Sequence, residues 1–173
     1  MTIGIGLLVL LAVLLLFIAT RPAKFRIERS AQLSASRAAL FALLNDFHQW
    51  GKWSPWEKLD PTMKKTFSGS ESGTGAEYAW SGNSKAGEGR MTMLDSKPNE
   101  QLSIKLEFKK PFPATNVTTF KLEPTSGGTT VHWITEAENG FAGKAFGLLM
   151  NMDKLLGASF EEGLSNLNNA ARG

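Results

Sequence analysis

Two regimes of hydrophobic patterning divide the chain. Residues 2–19, TIGIGLLVLLAVLLLFIA, carry no charge, and from residue 24 onward short alternating runs take over. KFRIERSAQLS, residues 24–34, places Phe25, Ile27, Arg29, Ala31 and Leu33 on one side and mostly charged residues on the other, which predicts a strand. Ser34 or Ser36 is positioned to cap the helix predicted for RAALFALLNDF, whose apolar stripe is Leu40, Phe41, Leu43, Leu44 and Phe47. Gly51 or Pro55 stops it.

Strands then dominate. TMKKTFSG, AEYAWSG, GEGRMTMLD, QLSIKLEF, NVTTFKLEP and TTVHWITEAE are each bounded by turn residues. The fourth of these is the clearest: Leu102, Ile104, Leu106 and Phe108 alternate with Ser103, Lys105 and Glu107. TSGG between the last two predicts a hairpin turn. The period changes at the end. From Ala142 to Ala171, apolar residues recur at Phe146, Leu149, Met152, Leu156, Phe160, Leu164 and Leu167, which predicts one long amphipathic helix. Gly157 and Gly163 within it permit either close packing or room for a ligand.

Short turns between successive strands favour an antiparallel meander, and the terminal helix supplies cover for one of its faces. The expected architecture is therefore α+β. Residues 1–20 are expected as a transmembrane helix, 21–24 as a juxtamembrane linker and 25–173 as one domain. A helix over residues 2–19 rises about 27 Å, near the ~30 Å hydrocarbon thickness of a bilayer. No Lys or Arg precedes it and no A-x-A site follows, so a cleaved signal is disfavoured. Arg21, Lys24, Arg26 and Arg29 all follow it, which by the positive-inside bias puts the domain on the cytoplasmic side of an inner membrane.

Composition removes several function classes. The net charge of +3 with no dense basic stripe does not suggest nucleic-acid binding. The chain has no cysteine, which excludes disulfides, thiolate metal sites and a cysteine nucleophile. His48 and His132 sit on separate elements without clustered carboxylates, so no metal is expected, nor any other cofactor.

The motifs IERSAQLSASRAALFALLNDFHQWGKWSPWEK, YAWSGN, GEGRMTM, PNEQLSIKLEF, KPFPATN, GTTVHWITEAEN and MNMDKLLGASFEEGLSNL resemble the START-like, or Bet v 1-like, superfamily. The likeness is strongest to its bacterial polyketide cyclase/dehydrase branch, also called SRPBCC. That resemblance implies a helix-grip fold: a curved antiparallel sheet around a long C-terminal helix, with two small helices between the first two strands. It also implies a cavity for an apolar ligand between sheet and helix. It does not single out a reaction, because fold and chemistry are separable.

The most conspicuous feature lies in NDFHQWGKWSPWEKLDP, where Trp50, Trp53 and Trp56 crowd a broken, polar segment. Rings of this size close a core, line a cavity mouth or touch lipid headgroups. Tyr78 with Trp80, and Met91 with Met93, share strand faces, and Phe108, Phe120 and Met152 are candidates to join them in an apolar wall. Candidate polar groups are Glu57 as acid/base, Tyr78 as donor to a carbonyl, and Arg90 as an anchor for a carboxylate or a partner of Glu107. The expected function is a membrane-tethered domain that binds a lipid or other hydrophobic small molecule. The alternatives are a polyketide cyclase/dehydrase-like enzyme and a protein-interaction or stress-response module whose cavity its own side chains fill.

Overall fold

The computed structural model describes residues 2–138, 140–149 and 151–173. After an N-terminal helix, α1 (Thr2–Ala19), come strand β1 (Lys24–Leu33), helix α2 (Arg37–Asn45) and two short 3-10 turns, Phe47–Lys52 and Pro55–Lys58. Six strands follow: β2 (Lys64–Gly69), β3 (Ala76–Ser81), β4 (Glu88–Lys97), β5 (Gln101–Lys110), β6 (Ala114–Thr125) and β7 (Gly128–Glu138). Helices α3 (Phe141–Leu149) and α4 (Met152–Arg172) complete the chain.

All seven strands form one antiparallel sheet in the order β1-β7-β6-β5-β4-β3-β2. Five of the six pairings join strands consecutive in sequence, as short turns demand; β1 reaches back to pair β7. Alternation sorts the sheet into two faces. The convex face carries ion pairs such as Arg26–Glu136 at 2.7 Å and Lys105–Glu107 at 2.8 Å. The concave face carries Ile27, Met93, Leu102, Ile104, Phe120, Leu122, Val131 and Trp133, all buried beneath α2, the 3-10 turns and α4. This is the α+β helix-grip arrangement.

Ser36, not Ser34, caps α2, accepting from the Ala39 amide at 3.3 Å. The helix ends at Asn45, ahead of the Gly51 or Pro55 expected from the sequence, because Asp46 is extended and its carboxylate captures the His48 amide at 2.9 Å. The C-terminal segment also departs from expectation. It is two helices and not one, since Asn151 leaves helical geometry and its side chain accepts from the Lys154 amide at 2.9 Å. A side-chain acceptor that satisfies an orphan amide starts a new helix even where the apolar period runs on. The expected stripe residues Phe146 and Leu149 lie outside the described side chains.

The expected membrane span over residues 1–20 is not supported: among the described residues no helix is long and apolar enough to cross a membrane. Residues 2–19 are helical, with Leu7, Leu10, Val13 and Leu16 exposed. The Lys144 ammonium donates to the Ala19 carbonyl at 3.0 Å, which joins α3 to the end of α1.

Candidate functional site

The tryptophan cluster has a local cause. The last carbonyls of α2 have no intrahelical donor, and two indoles supply one. Trp50 Nε1 donates to the Leu44 carbonyl at 3.1 Å, and Trp53 Nε1 to the Leu43 carbonyl at 3.4 Å. Folding the chain back in this way drives both rings onto the concave face. Trp53 is fully buried, 4.8 Å from Trp50 and edge-on to Phe120 and Trp133 at 6.0 and 5.6 Å. Asn166 of α4 donates to the Trp53 carbonyl at 3.2 Å and locks the turn to the helix.

Across from these rings, Trp133 stacks on Phe160 of α4, centroids 4.4 Å apart and planes within 5°. Such proximity requires Gly163: a Cβ there would stand 2.6 Å from Trp133 Cζ3. Gly157 answers to the same logic, since a Cβ would collide with the Arg29 guanidinium. Arg29 runs beneath the helix to Asp153 and Glu161, at 3.0 and 2.9 Å, and clamps β1 to α4. Both glycines therefore serve close packing, and rings fill the space under the second half of α4.

The opposite end of the concave face is less filled. One register row crosses the sheet from Phe25 through Ala137, Asn116, Leu106, Met91 and Tyr78 to Phe67. Of these, Phe25, Ala137, Asn116 and Leu106 are only half-buried. The row beyond it holds Phe108 and Trp80, edge-to-face at 5.8 Å and also half-buried, with Trp80 lying on Gly89. Met152 and Leu156 of α4 and Trp56 of the second 3-10 turn are likewise half-buried against the core. Phe25 is the second residue of β1, so these half-buried residues lie at the end of the sheet nearest α1, the mouth side of the grip.

Glu57, Tyr78 and Arg90 divide between the faces. Tyr78 is 2% exposed, and its hydroxyl donates to Glu57 Oε1 at 2.7 Å. Lys65 donates to the other carboxylate oxygen, Oε2. Burial first, and the hydrogen bond to the Glu57 carboxylate second, push the Tyr78 phenol far above its ordinary range, so it keeps its proton. Phe67 stacks on Tyr78 at 5.0 Å and His48 on Phe67 at 4.1 Å. Arg90 follows the opposite alternation. It lies on the convex face, 3.0 Å from Glu107 and 3.9 Å from Glu77, and does not join the other two.

Of the ten residues expected to line a ligand site, Trp50, Trp53, Tyr78, Met91, Met93 and Phe120 are buried in the core, whereas Trp56, Trp80, Phe108 and Met152 are half-buried towards the mouth. Two surface concavities, about 350 Å³ between α2 and the end of α4 and about 410 Å³ beside Asn83 and Pro111, are lined by none of the ten. Sequence reasoning missed Lys65, which neutralises Glu57, and Trp133. Alternation with Val131 could have placed Trp133 on the inner face. Among the described residues no group of three or more histidine or carboxylate side chains is placed to hold a metal ion.

A family model described as "Polyketide cyclase / dehydrase and lipid transport" matches residues 24–172. Among solved structures, a protein from Chromobacterium violaceum is 16% identical, with 88% of this chain and 99% of that one covered at a TM-score of 0.61. Ara h 8.0201 is 13% identical, with 86% and 97% covered at 0.60. The di-domain ARO/CYC StfQ, from the steffimycin biosynthetic pathway, is 12% identical; 87% of this chain spans 51% of that one, at 0.62. At these identities the likeness is one of fold. No curated protein matches the chain.

Proposed function

The chain belongs to the polyketide cyclase/dehydrase and lipid transport family, whose fold is one that binds hydrophobic ligands, and from that premise we propose that it takes a hydrophobic small molecule at the mouth of the grip. The observation that carries this reading is the contrast along the concave face: fully buried rings at one end, and half-buried Trp56, Trp80, Leu106, Phe108, Met152 and Leu156 at the other. Apolar area of this kind, concave and still partly wet, gains about 25 cal/mol per Å² when a ligand covers it. Trp50, Trp53, Tyr78, Met91, Met93 and Phe120 form the rigid wall behind. Glu57 and Tyr78 act as positioning residues. Their hydrogen bond, with Lys65 closing the pair, ties the turn that carries Trp56 to β2 and β3. A carboxylate held between two donors and a phenol that holds its proton favour binding over a cyclase or dehydrase reaction.

The same proposal includes lipid contact through α1. An uncharged helix with leucines exposed on several sides is unstable in water and stable in an apolar phase. The basic residues that follow it, Arg21 and Lys24 first, suit the cytoplasmic headgroup region of an inner membrane. The mouth would then face the bilayer, a source of apolar ligands.

The test is equilibrium dialysis of 2-ethylnaphthalene against the full chain in lipid nanodiscs, with empty nanodiscs as the blank. Saturable excess binding that Trp80→Ala weakens supports the site; no excess over the blank overturns it. Alkaline carbonate extraction of cell membranes tests α1 separately. The full chain is expected in the pellet, and recovery in the wash would remove the lipid contact.

A further inference from the structure

A buried donor without an acceptor stands behind the mouth. Trp133 is 2% exposed, and its Nε1 has no hydrogen-bond partner among the described residues. The other buried indoles of the core do not share this state, because Trp50 and Trp53 both donate to α2 carbonyls. Trp133 is enclosed by rings: Phe160 stacked on it, Phe120 at 4.7 Å, and Trp53 and Trp56 edge-on, both at 5.6 Å. An unmade hydrogen bond of this kind destabilises the free protein, because the donor has lost water without gaining a partner.

A second donor lies one step along the same strand. Thr135 and Thr118, 3% and 6% exposed, face each other across β7 and β6 with their hydroxyls 2.8 Å apart. That bond uses one hydroxyl proton, and the other has no acceptor among the described residues. Trp133 and Thr135 alternate on the same face of β7, so both surplus donors belong to the concave interior. Their wall is otherwise apolar: Ile27, Ile104 and Met93 complete the threonine row.

The charge balance narrows what such donors can take. Arg29, opposite Trp133 in the register, is committed to Asp153, Glu161 and the Glu28 carbonyl. Lys65 is held by Glu57. A buried anion would need a cation of its own, whereas a neutral carbonyl oxygen needs only donors. Trp56, half-buried, separates the mouth from Trp133.

We propose that Trp133 Nε1 and the Thr118–Thr135 hydroxyl pair form the polar end of the ligand site, and that the ligand is an apolar molecule bearing a neutral carbonyl group. The inference rests on the mouth reading above. The ligand's apolar body covers Trp80, Phe108 and Met152, and its carbonyl passes Trp56 to accept from Trp133. An indole N–H is fixed in direction by its packed ring, so it discriminates a ketone or ester from a hydrocarbon of the same shape.

The experiment compares 2-acetylnaphthalene with 2-ethylnaphthalene, a matched ketone and hydrocarbon, by equilibrium dialysis against the full chain in nanodiscs, each corrected for its uptake by empty nanodiscs. The wild-type chain is expected to bind the ketone about tenfold more tightly, the size of one buried hydrogen bond. Trp133→Phe keeps an aromatic ring at this position and removes the indole N–H together with its pyrrole ring. It is expected to bind the two probes equally, with hydrocarbon binding retained. Thr135→Val, which keeps the side-chain shape, serves as an independent variant and should reduce the ketone preference. Equal binding of both probes by the wild type, or a preference that survives both substitutions, overturns the proposal while leaving the mouth in place. Failure of both probes to bind the wild type removes the mouth itself.

Discussion

The two ends of the concave face begin with the same ingredients and finish differently. At the closed end, Trp53, Trp133, Phe120 and Phe160 meet ring to ring, and α4 approaches closely because Gly163 has no side chain. At the mouth, Trp80, Phe108, Leu106 and Met152 are as apolar, yet they stay half-buried. The difference lies in the cover. α4 starts at Met152, after Asn151 has broken the helical run, so its first turn meets the sheet only at its edge. Hydrophobic residues alone therefore do not define a core; the backbone that reaches them does.

The comparison is most sharply tested by removing one ring from each end. Trp53→Ala is expected to lose about 3–5 kcal/mol, because it opens a cavity that close-packed neighbours cannot fill. Trp80→Ala should lose less than half of that, since part of its ring is already wet, while weakening binding of the naphthalene probe. Urea denaturation of both variants measures the pair, and equal losses would mean the mouth is core.

Glycines supply the next test. Gly147→Ala in α3, where a Cβ meets nothing within 4 Å, should stabilise by up to about 1 kcal/mol through helix propensity. The same change at Gly163 should destabilise by about 1–3 kcal/mol by pressing on Trp133. Opposite signs in thermal unfolding are expected, and a shared sign would deny the close approach of α4.

Tyr78→Phe removes one donor from Glu57 and leaves the Lys65 pair. A loss of about 1–2 kcal/mol is expected. If Glu57 and Tyr78 position Trp56, probe affinity falls together with stability; a full loss of binding with unchanged stability would instead give the hydroxyl a direct role with ligand.

The smallest effect is the dependence on acid. The Arg29 hydrogen bond holds the Asp153 carboxyl below its ordinary value of 3.8. A carboxyl whose folded value is depressed contributes its stability fully above the ordinary value and loses it as pH falls through the folded one. Arg29→Met should therefore flatten part of the stability loss below about pH 4. Chemical denaturation at pH 5, 4 and 3 reads the change, and an unaltered slope would show that the clamp does not couple β1 to α4.

Much of the fold was legible in the pattern. The six strands after α2 fall where alternation and turn residues put them, and QLSIKLEF needed no tertiary information. The misplaced boundaries have local causes: Asp46 and Asn151 each captured an amide, and a side-chain hydrogen bond has no hydrophobic period. Site residues were harder to place. The Glu57–Tyr78 pair and the Arg90–Glu107 pair were each conceivable from residue type. Which groups share a face was settled by register, which puts Arg90 and Met91 on opposite sides of β4.

By itself the sequence determined the meander, the inward rows of apolar residues and the apolar character of residues 2–19, because these depend on period and composition along the chain. Only the tertiary structure decided that Gly157 and Gly163 admit Arg29 and Trp133, that rings close one end of the grip, and that the buried Trp133 indole has no acceptor among the described residues. Those outcomes turn on distances between segments more than a hundred residues apart in some pairs, such as Arg29 and Glu161, and no local pattern encodes them.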